Sequence, residues 1–268
     1  MLKSVSFISE FVFLGMRKFI PLLVMIVCAL FGKAQDFSKY NPIKAEIKGG
    51  NQNLEQILQT QLSLPKNFFA NGYEENVTIY FVIDSLNQPV VLSFQPHVLP
   101  AGQKELTRIL RFMHFVRLDP DYNVPYYITV PLSAKNYYSL LKQKNRPLAK
   151  TGLKSDSSFV VYSKADRSPD YYKDGENGLK DFILSEIEYP KLAIEKSVEG
   201  TVVIEFVVET NGYVTNAMVK QPLGAGCSEE ALRLITKTRW LPAQLNGKLV
   251  RYKMAYPITF SLLNKSRD

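Results

Sequence analysis

An internal repeat constrains this chain more than any other feature, because two copies of one segment must each be able to form the same supersecondary unit. At a shift of 125 residues, Gly50 through Leu54 corresponds to Gly175 through Leu179, Leu64-Pro65 to Tyr189-Pro190, and Phe81 through Asp84 to Phe206 through Glu209. The correspondence resumes at a shift of 126. There Ile109 meets Ile235, Phe115 meets Leu241, and Tyr127 through Pro131 meets Lys253 through Pro257. A single loop insertion accounts for the change of register. The copies span residues 44–133 and 174–263, with a linker over 134–173. Within the linker, Phe159 through Tyr162 reads as one short strand.

Each copy spells the same order of elements. In the second, Leu179, Phe182, Ile183 and Ile187 recur at helical spacing, Asn177 or Asp174 can cap the helix, and Pro190 stops it. A short helical turn follows over 191–196. Thr201–Val208 is rich in β-branched residues and reads as a strand, Asn211-Gly212 as a tight hairpin turn with both positions at positive φ, and Tyr213–Lys220 as the return strand. Ser228 with Glu229 and Glu230 opens a second helix, as N-cap and dipole-matched acids, which Trp240 and Pro242 end. Val250–Leu262 is the last strand, and Pro257 inside it requires an edge or a bulge. The first copy repeats this with a helix over Glu105–Phe115. The expected fold class is α+β: two tandem modules, each a small antiparallel sheet with two helices on one face.

The N-terminus sets the compartment. Arg17-Lys18 precedes an apolar run, Phe19–Phe31, and the small-residue exit Gly32-Lys33-Ala34-Gln35. This is the pattern of a cleaved secretory signal over residues 1–35, with Met16 as an alternative start. The run is shorter than the roughly 20 residues a membrane-spanning helix needs. An uncleaved inner-membrane anchor is the alternative. Cys28 is no lipidation site, because Val27 stands where a small residue is required. Past the signal, Cys227 is the only cysteine, so packing rather than a disulfide holds the fold, and Cys227 reads as a small buried residue. The net charge is +8 for the whole chain. It is spread along the chain and forms no basic stripe, which argues against a nucleic-acid partner.

Catalytic chemistry finds little to work with. His97 and His114 have no cysteine partners and make a poor start for zinc, so neither metal nor cofactor is expected. Glu186 with Glu188, and Glu229 with Glu230, sit at helix ends rather than across a cleft, and no phosphate loop or nucleophile elbow appears. The chain reads as a non-enzyme. Trp240 reads as a core plug beside Leu241.

The second copy resembles the C-terminal domain of TonB-type energy transducers, in the version common among Bacteroidetes-type members. The residues that carry the likeness are Tyr189-Pro190, Ala193, Glu199-Gly200-Thr201-Val202, Asn211-Gly212-Tyr213-Val214, Glu230-Ala231-Leu232, Trp240 with Pro242, and Pro257 through Phe260. The first copy is a degenerate relative that lacks the Glu-Gly step, the turn glycine and the tryptophan. The resemblance implies a periplasmic part that binds envelope proteins, among them TonB-dependent outer-membrane receptors, by accepting an extended segment as an added strand. The expected edge is the last strand, with Tyr252, Met254, Tyr256, Ile258 and Phe260 as its binding residues. Exposed edges also leave a homodimer open. The long Pro-rich spacer of a full transducer is missing, which favours an adaptor. A full transducer with an uncleaved anchor at Phe19–Phe31 is the alternative.

Overall fold

The computed structural model describes residues 41–65, 68–69, 74–84, 86–116, 118, 124–134, 137 and 152–265. The stretch read as a secretory signal, with Met16, Cys28 and Phe19–Phe31, lies outside them. In chain order the elements are β1 (Ile43–Lys44), α1 (Gly50–Gln61), β2 (Glu74–Ile83), β3 (Pro89–Gln95), α2 (Pro100–Leu110), β4 (Tyr126–Ser133), β5 (Lys154–Ser155) and β6 (Val161–Tyr162). They continue with β7 (Asp170–Tyr171), α3 (Gly175–Glu186), α4 (Lys191–Glu195), β8 (Gly200–Val208), β9 (Val214–Gln221), α5 (Cys227–Lys237), β10 (Trp240–Leu241), β11 (Ala243–Leu245) and β12 (Lys248–Phe260).

These elements form two compact units. Among the described residues, the first holds those up to Glu46, Ser63–Arg111 and Phe115–Tyr137; the second holds Ile47–Leu62, Phe112–His114 and those from Gly152 on. In the first unit, β2 lies between β3 and β4, both antiparallel to it, and β1 adds to β4 in parallel. Alternation along β2 buries Val77, Ile79, Phe81 and Ile83, and Leu106, Ile109 and Leu110 of α2 are buried as well. The other face carries a smaller cluster of Tyr80, Val82 and Leu92.

The second unit repeats the strand order, with β8 between β9 and β12. Val202, Ile204, Phe206 and Val208 point into a core shared with Leu179 and Ile183 of α3, Ala193 of α4, Ala231, Leu234 and Ile235 of α5, and Ile258 and Phe260 of β12. Each of these large side chains contributes about 1.5–3 kcal/mol by leaving water. Trp240 is buried among them against Phe206 and Tyr171, and its indole N–H donates to Thr238. Cys227 is buried too, which pushes its thiol pKa up.

Several expectations need correcting. The helix at the start of the first repeat, α1, groups with the second unit. The first unit's helix is Pro100–Leu110, not Glu105–Phe115, because Pro100 is favoured in a first helical turn. The last strands correspond at a different shift. Phe81 pairs with Tyr126 and Phe206 with Met254, so Tyr126 matches Met254, two residues beyond the sequence alignment. Pro131 and Pro257 are therefore not equivalent positions, although a shift of two preserves which face each residue occupies.

Local chemistry differs as well. At Asn211-Gly212 only the glycine has positive φ, and Gly212 N–H donates to Glu209 O at 2.8 Å, while Glu209 N–H donates to Tyr213 O at 2.8 Å. The doubly left-handed turn occurs instead at Asn246-Gly247, between β11 and β12. Ser228 is not a cap. Gly226 takes that position, and Ser228 Oγ is bonded to Leu223 N and O. Asp174 occupies the cap position of α3 without a side-chain bond. Among the described residues no helix is long and apolar enough to cross a membrane.

Candidate functional site

A sheet has two outer edges, and here they are treated differently. On β9 the register slips around Asn216, which has a φ of 53°. The main-chain groups that the slip exposes are taken up by side chains of α1. Asn216 N–H donates to Asn53 Oδ1 at 2.7 Å, Asn53 Nδ2 donates to Asn216 Oδ1 at 3.3 Å, and Gln56 Nε2 donates to Val214 O at 3.3 Å. The helix thus substitutes amide groups for a neighbouring strand. The later half of β9, Met218–Gln221, pairs with β8 alone among the described strands.

On the opposite border, β12 runs antiparallel to β8 from Tyr252 to Phe260 without a register break. Its beginning is covered. Lys248 and Leu249 pair in parallel with β5, and Arg251 and Tyr252 with β6. From Lys253 to Phe260, no described strand pairs with the side away from β8. That leaves an open stretch of eight residues, about 27 Å long.

The direction of the main chain along this stretch follows from three observations. Leu249 O accepts from Asp156 N–H at 2.7 Å, so residue 249 faces β5, and every second residue onward faces the same way. Thr201 O, opposite Thr259 in the ladder, is turned toward Gln221 of β9, so Thr259 is turned away from β8. Pro257 has no N–H and lies opposite Val203 in an unbroken ladder, which requires its nitrogen to face outward. Lys253, Ala255, Pro257 and Thr259 therefore present their main-chain groups to the open side. They offer four carbonyl acceptors but only two free N–H donors, because Pro257 has none and the parallel register of Tyr252 with Tyr162 aims the Lys253 N–H at the Tyr162 carbonyl. Their side chains lie on the exposed face, where Lys253 pairs with Glu205 at 2.9 Å.

The expected binding residues lie on this strand but in the other phase. Met254, Tyr256, Ile258 and Phe260 turn their side chains toward the helices, and their main-chain groups belong to the ladder with β8. Tyr252 is already flanked on both sides, by Val208 and Tyr162. Only the inner set was read from the sequence, because apolar alternation reports burial and not the free edge. Pro257 carried the missing signal, since a proline in a strand faces its donor-less side outward. Met254 and Tyr256 stay half-buried at the core margin beneath the edge. Burial pushes the Tyr256 hydroxyl pKa up, Glu176 adds to this, and Lys180 opposes it, which puts Tyr256 beside α3.

Of the family-motif residues, all but Pro257 lie away from the open edge. Tyr189 packs edge-on to Phe260 and donates its hydroxyl to Val198 O at 2.6 Å. Pro190 begins α4 and lies against Gly226, where an added Cβ would meet the proline ring at 3.0 Å. Gly200 starts β8 at a φ of 151°, Gly212 closes its turn, and Trp240 fills the core.

One charged group the motifs did not flag anchors the site. Arg251, 4% exposed, donates from Nε and Nη2 to the Glu209 carboxylate at 2.8 and 2.9 Å, and Glu209 is 1% exposed. Glu209 also accepts from the Thr215 hydroxyl. Arg251 Nη1 reaches Phe159 O at 2.8 Å, and its guanidinium lies 4.9 Å over the Phe112 ring. His114 senses this cluster. Its pKa is lowered to about 4, first by burial, then by Arg251, Lys48 and Lys253.

The carboxylates considered for catalysis are engaged elsewhere. Glu230 accepts from Glu188 N–H and from Arg233, and Glu186 pairs with Lys237. Among the described residues, no three His, Cys, Asp or Glu side chains gather as metal ligands. What the arrangement offers is a main-chain surface for an extended polypeptide.

Comparison with known proteins bears on the second unit. Residues 185–262 match the family model for the Gram-negative bacterial TonB protein C-terminal. The solution NMR structure of the Helicobacter pylori TonB C-terminal domain aligns at 22% identity and a TM-score of 0.25, covering 34% of this chain and 89% of that one. No curated protein matches the chain.

Proposed function

Starting from a second unit of TonB C-terminal type, we propose that the chain is a periplasmic, non-enzymatic adaptor that binds envelope proteins by strand addition along Lys253–Phe260. The observation that carries this is the open side of β12. Four outward residues expose main-chain groups there, while α1 amides occupy part of the β9 border. An extended segment satisfies those groups, and its alternate side chains rest against Met254 and Tyr256. The fit is to an outer-membrane receptor segment. A second copy of this chain is the competing occupant.

The test uses the full mature protein, labelled for NMR and titrated with synthetic peptides from receptor plug segments. The amides of Ala255 and Thr259 shift first and become slow to exchange. Shifts confined to other borders, or dimerisation that accounts for all changes, refute the reading. Sequencing the secreted protein's first residues separates adaptor from anchored transducer. The adaptor begins near Gln35 or Asp36, and retention of Phe19–Phe31 supports the transducer.

A further inference from the structure

The linker residues that precede α3 in sequence lie along the same strand that offers the open edge, and they stop abruptly. β5 pairs with Lys248 and Leu249, the chain bends through Asp156 and Ser158, and β6 pairs with Arg251 and Tyr252. After Ser163 the linker leaves β12. Its next main-chain bonds, from Asp166 and Arg167, go to Gln244 of β11. Nothing in a two-residue strand explains its staying in place, since isolated short pairings are marginal in water.

Side chains of β12 itself supply the hold, and they come from the two residues at the boundary. Arg251 Nη1 donates to Phe159 O at 2.8 Å, and Tyr252 Oη donates to Ser163 O at 2.9 Å. The carbonyls on both flanks of β6 are therefore gripped. Arg251 is itself fixed by its two bonds to buried Glu209, and the Phe159 ring stands edge-on to Phe112 at 5.0 Å. Phe159 adopts a φ of 63°, a conformation unfavourable for a side chain of its kind, which the grip on its carbonyl sustains.

We propose that β6, clamped by Arg251 and Tyr252, is a built-in stop that sets where a visiting strand ends on β12, and hence its register and usable length. This rests on the strand-addition reading. A visitor laid on the open side meets Tyr162 and Ser163 at Lys253 and can pair no further toward Leu249. Its register is then fixed by two marks, the stop at one end and the donor-less Pro257 within the stretch. Arg251 and Tyr252 act here as positioning residues, because they hold the stop and touch no visitor.

The experiment uses the full mature protein and a length series of synthetic receptor-plug peptides, from about 6 to about 12 residues, bracketing an ordinary strand. Wild-type affinity rises with length and levels off at about eight residues, the length of the open stretch. In Tyr162→Pro combined with Tyr252→Phe, which removes a main-chain donor and the Ser163 bond, the longer peptides gain. Two freed cross-strand pairs are worth about 2- to 30-fold in affinity, and the shortest peptides are unchanged. Amide exchange on the unliganded proteins shows Arg251 slow in the wild type and fast in the variant, with Trp240 fluorescence reporting that the core is intact. Affinity that keeps rising with length in the wild type overturns the stop and leaves strand addition standing. Fast exchange at Arg251 in the wild type does the same. Absence of binding by every peptide, with Arg251 slow, overturns strand addition and the stop together.

Discussion

Replacing Glu209 by glutamine tests whether the buried ion pair is an integral part of the second unit. The substitution keeps shape and removes the charge. Glu209 is 1% exposed and Arg251 4%, so water cannot take over. Two charge-assisted bonds at 2.8 and 2.9 Å weaken at once, and Thr215 loses a strong acceptor. Arg251 cannot shed its proton, so a buried cation is left uncompensated. Breaking such a pair from one side costs about 3–5 kcal/mol, a large share of the roughly 5–15 kcal/mol that holds a domain. For a unit of this size the thermal midpoint drops by roughly 6–20 °C. The only tryptophan, Trp240, lies in the core of this unit, so urea and thermal melts followed by its fluorescence report on it alone. Converting both partners to methionine recovers most of the loss, because the penalty comes from the orphaned charge. A loss below about 1 kcal/mol in the single variant, or a double variant no better than the single, refutes the reasoning.

Three further outcomes follow from the geometry. His114 is held neutral, its pKa near 4 in the folded chain against about 6.5 when unfolded, so the unfolded state binds more protons between these values. Stability is thus flat above about pH 7 and falls by up to roughly 3 kcal/mol as pH drops through 6.5 toward 4, and His114→Gln abolishes that slope in acid melts; identical acid melts of the two proteins contradict it. Asn53→Ala and Asn216→Ala couple in a double-mutant cycle by about 0.5–3 kcal/mol, and additive losses exclude a direct amide pairing. Gly178→Ala places a Cβ 1.7 Å from Lys173 O, so the turn into α3 must move at a cost above about 2 kcal/mol; an unchanged Trp240 melt disproves the contact.

Local signals place the main strands and helices of residues 174–263. Alternating β-branched residues over 201–208, helical spacing from Leu179, and Tyr189-Pro190 before a short turn are local signals, and the strands and helices lie where those signals stand. The sequence also marked the last strand, because a proline in a ladder can face only one way. Other features depend on contacts between distant segments. Helix α1 matches α3 in sequence, yet it groups with the second unit, where Asn53, Gln56 and Gln61 meet groups of Asn211, Val214 and Asn216. Polar side chains on a helix do not announce which strand they serve. Of the linker's three short strands the sequence offered one, over Phe159–Tyr162, of which Val161–Tyr162 is paired; β5 and β7 are too short to show a periodicity, and the hold on β6 comes from Arg251 and Tyr252, some ninety residues later. The phase of the open edge was invisible for a similar reason. Alternation in a sequence tells which side chains are buried, whereas the free donors and acceptors belong to the complementary set, whose exposure depends on which strand lies alongside.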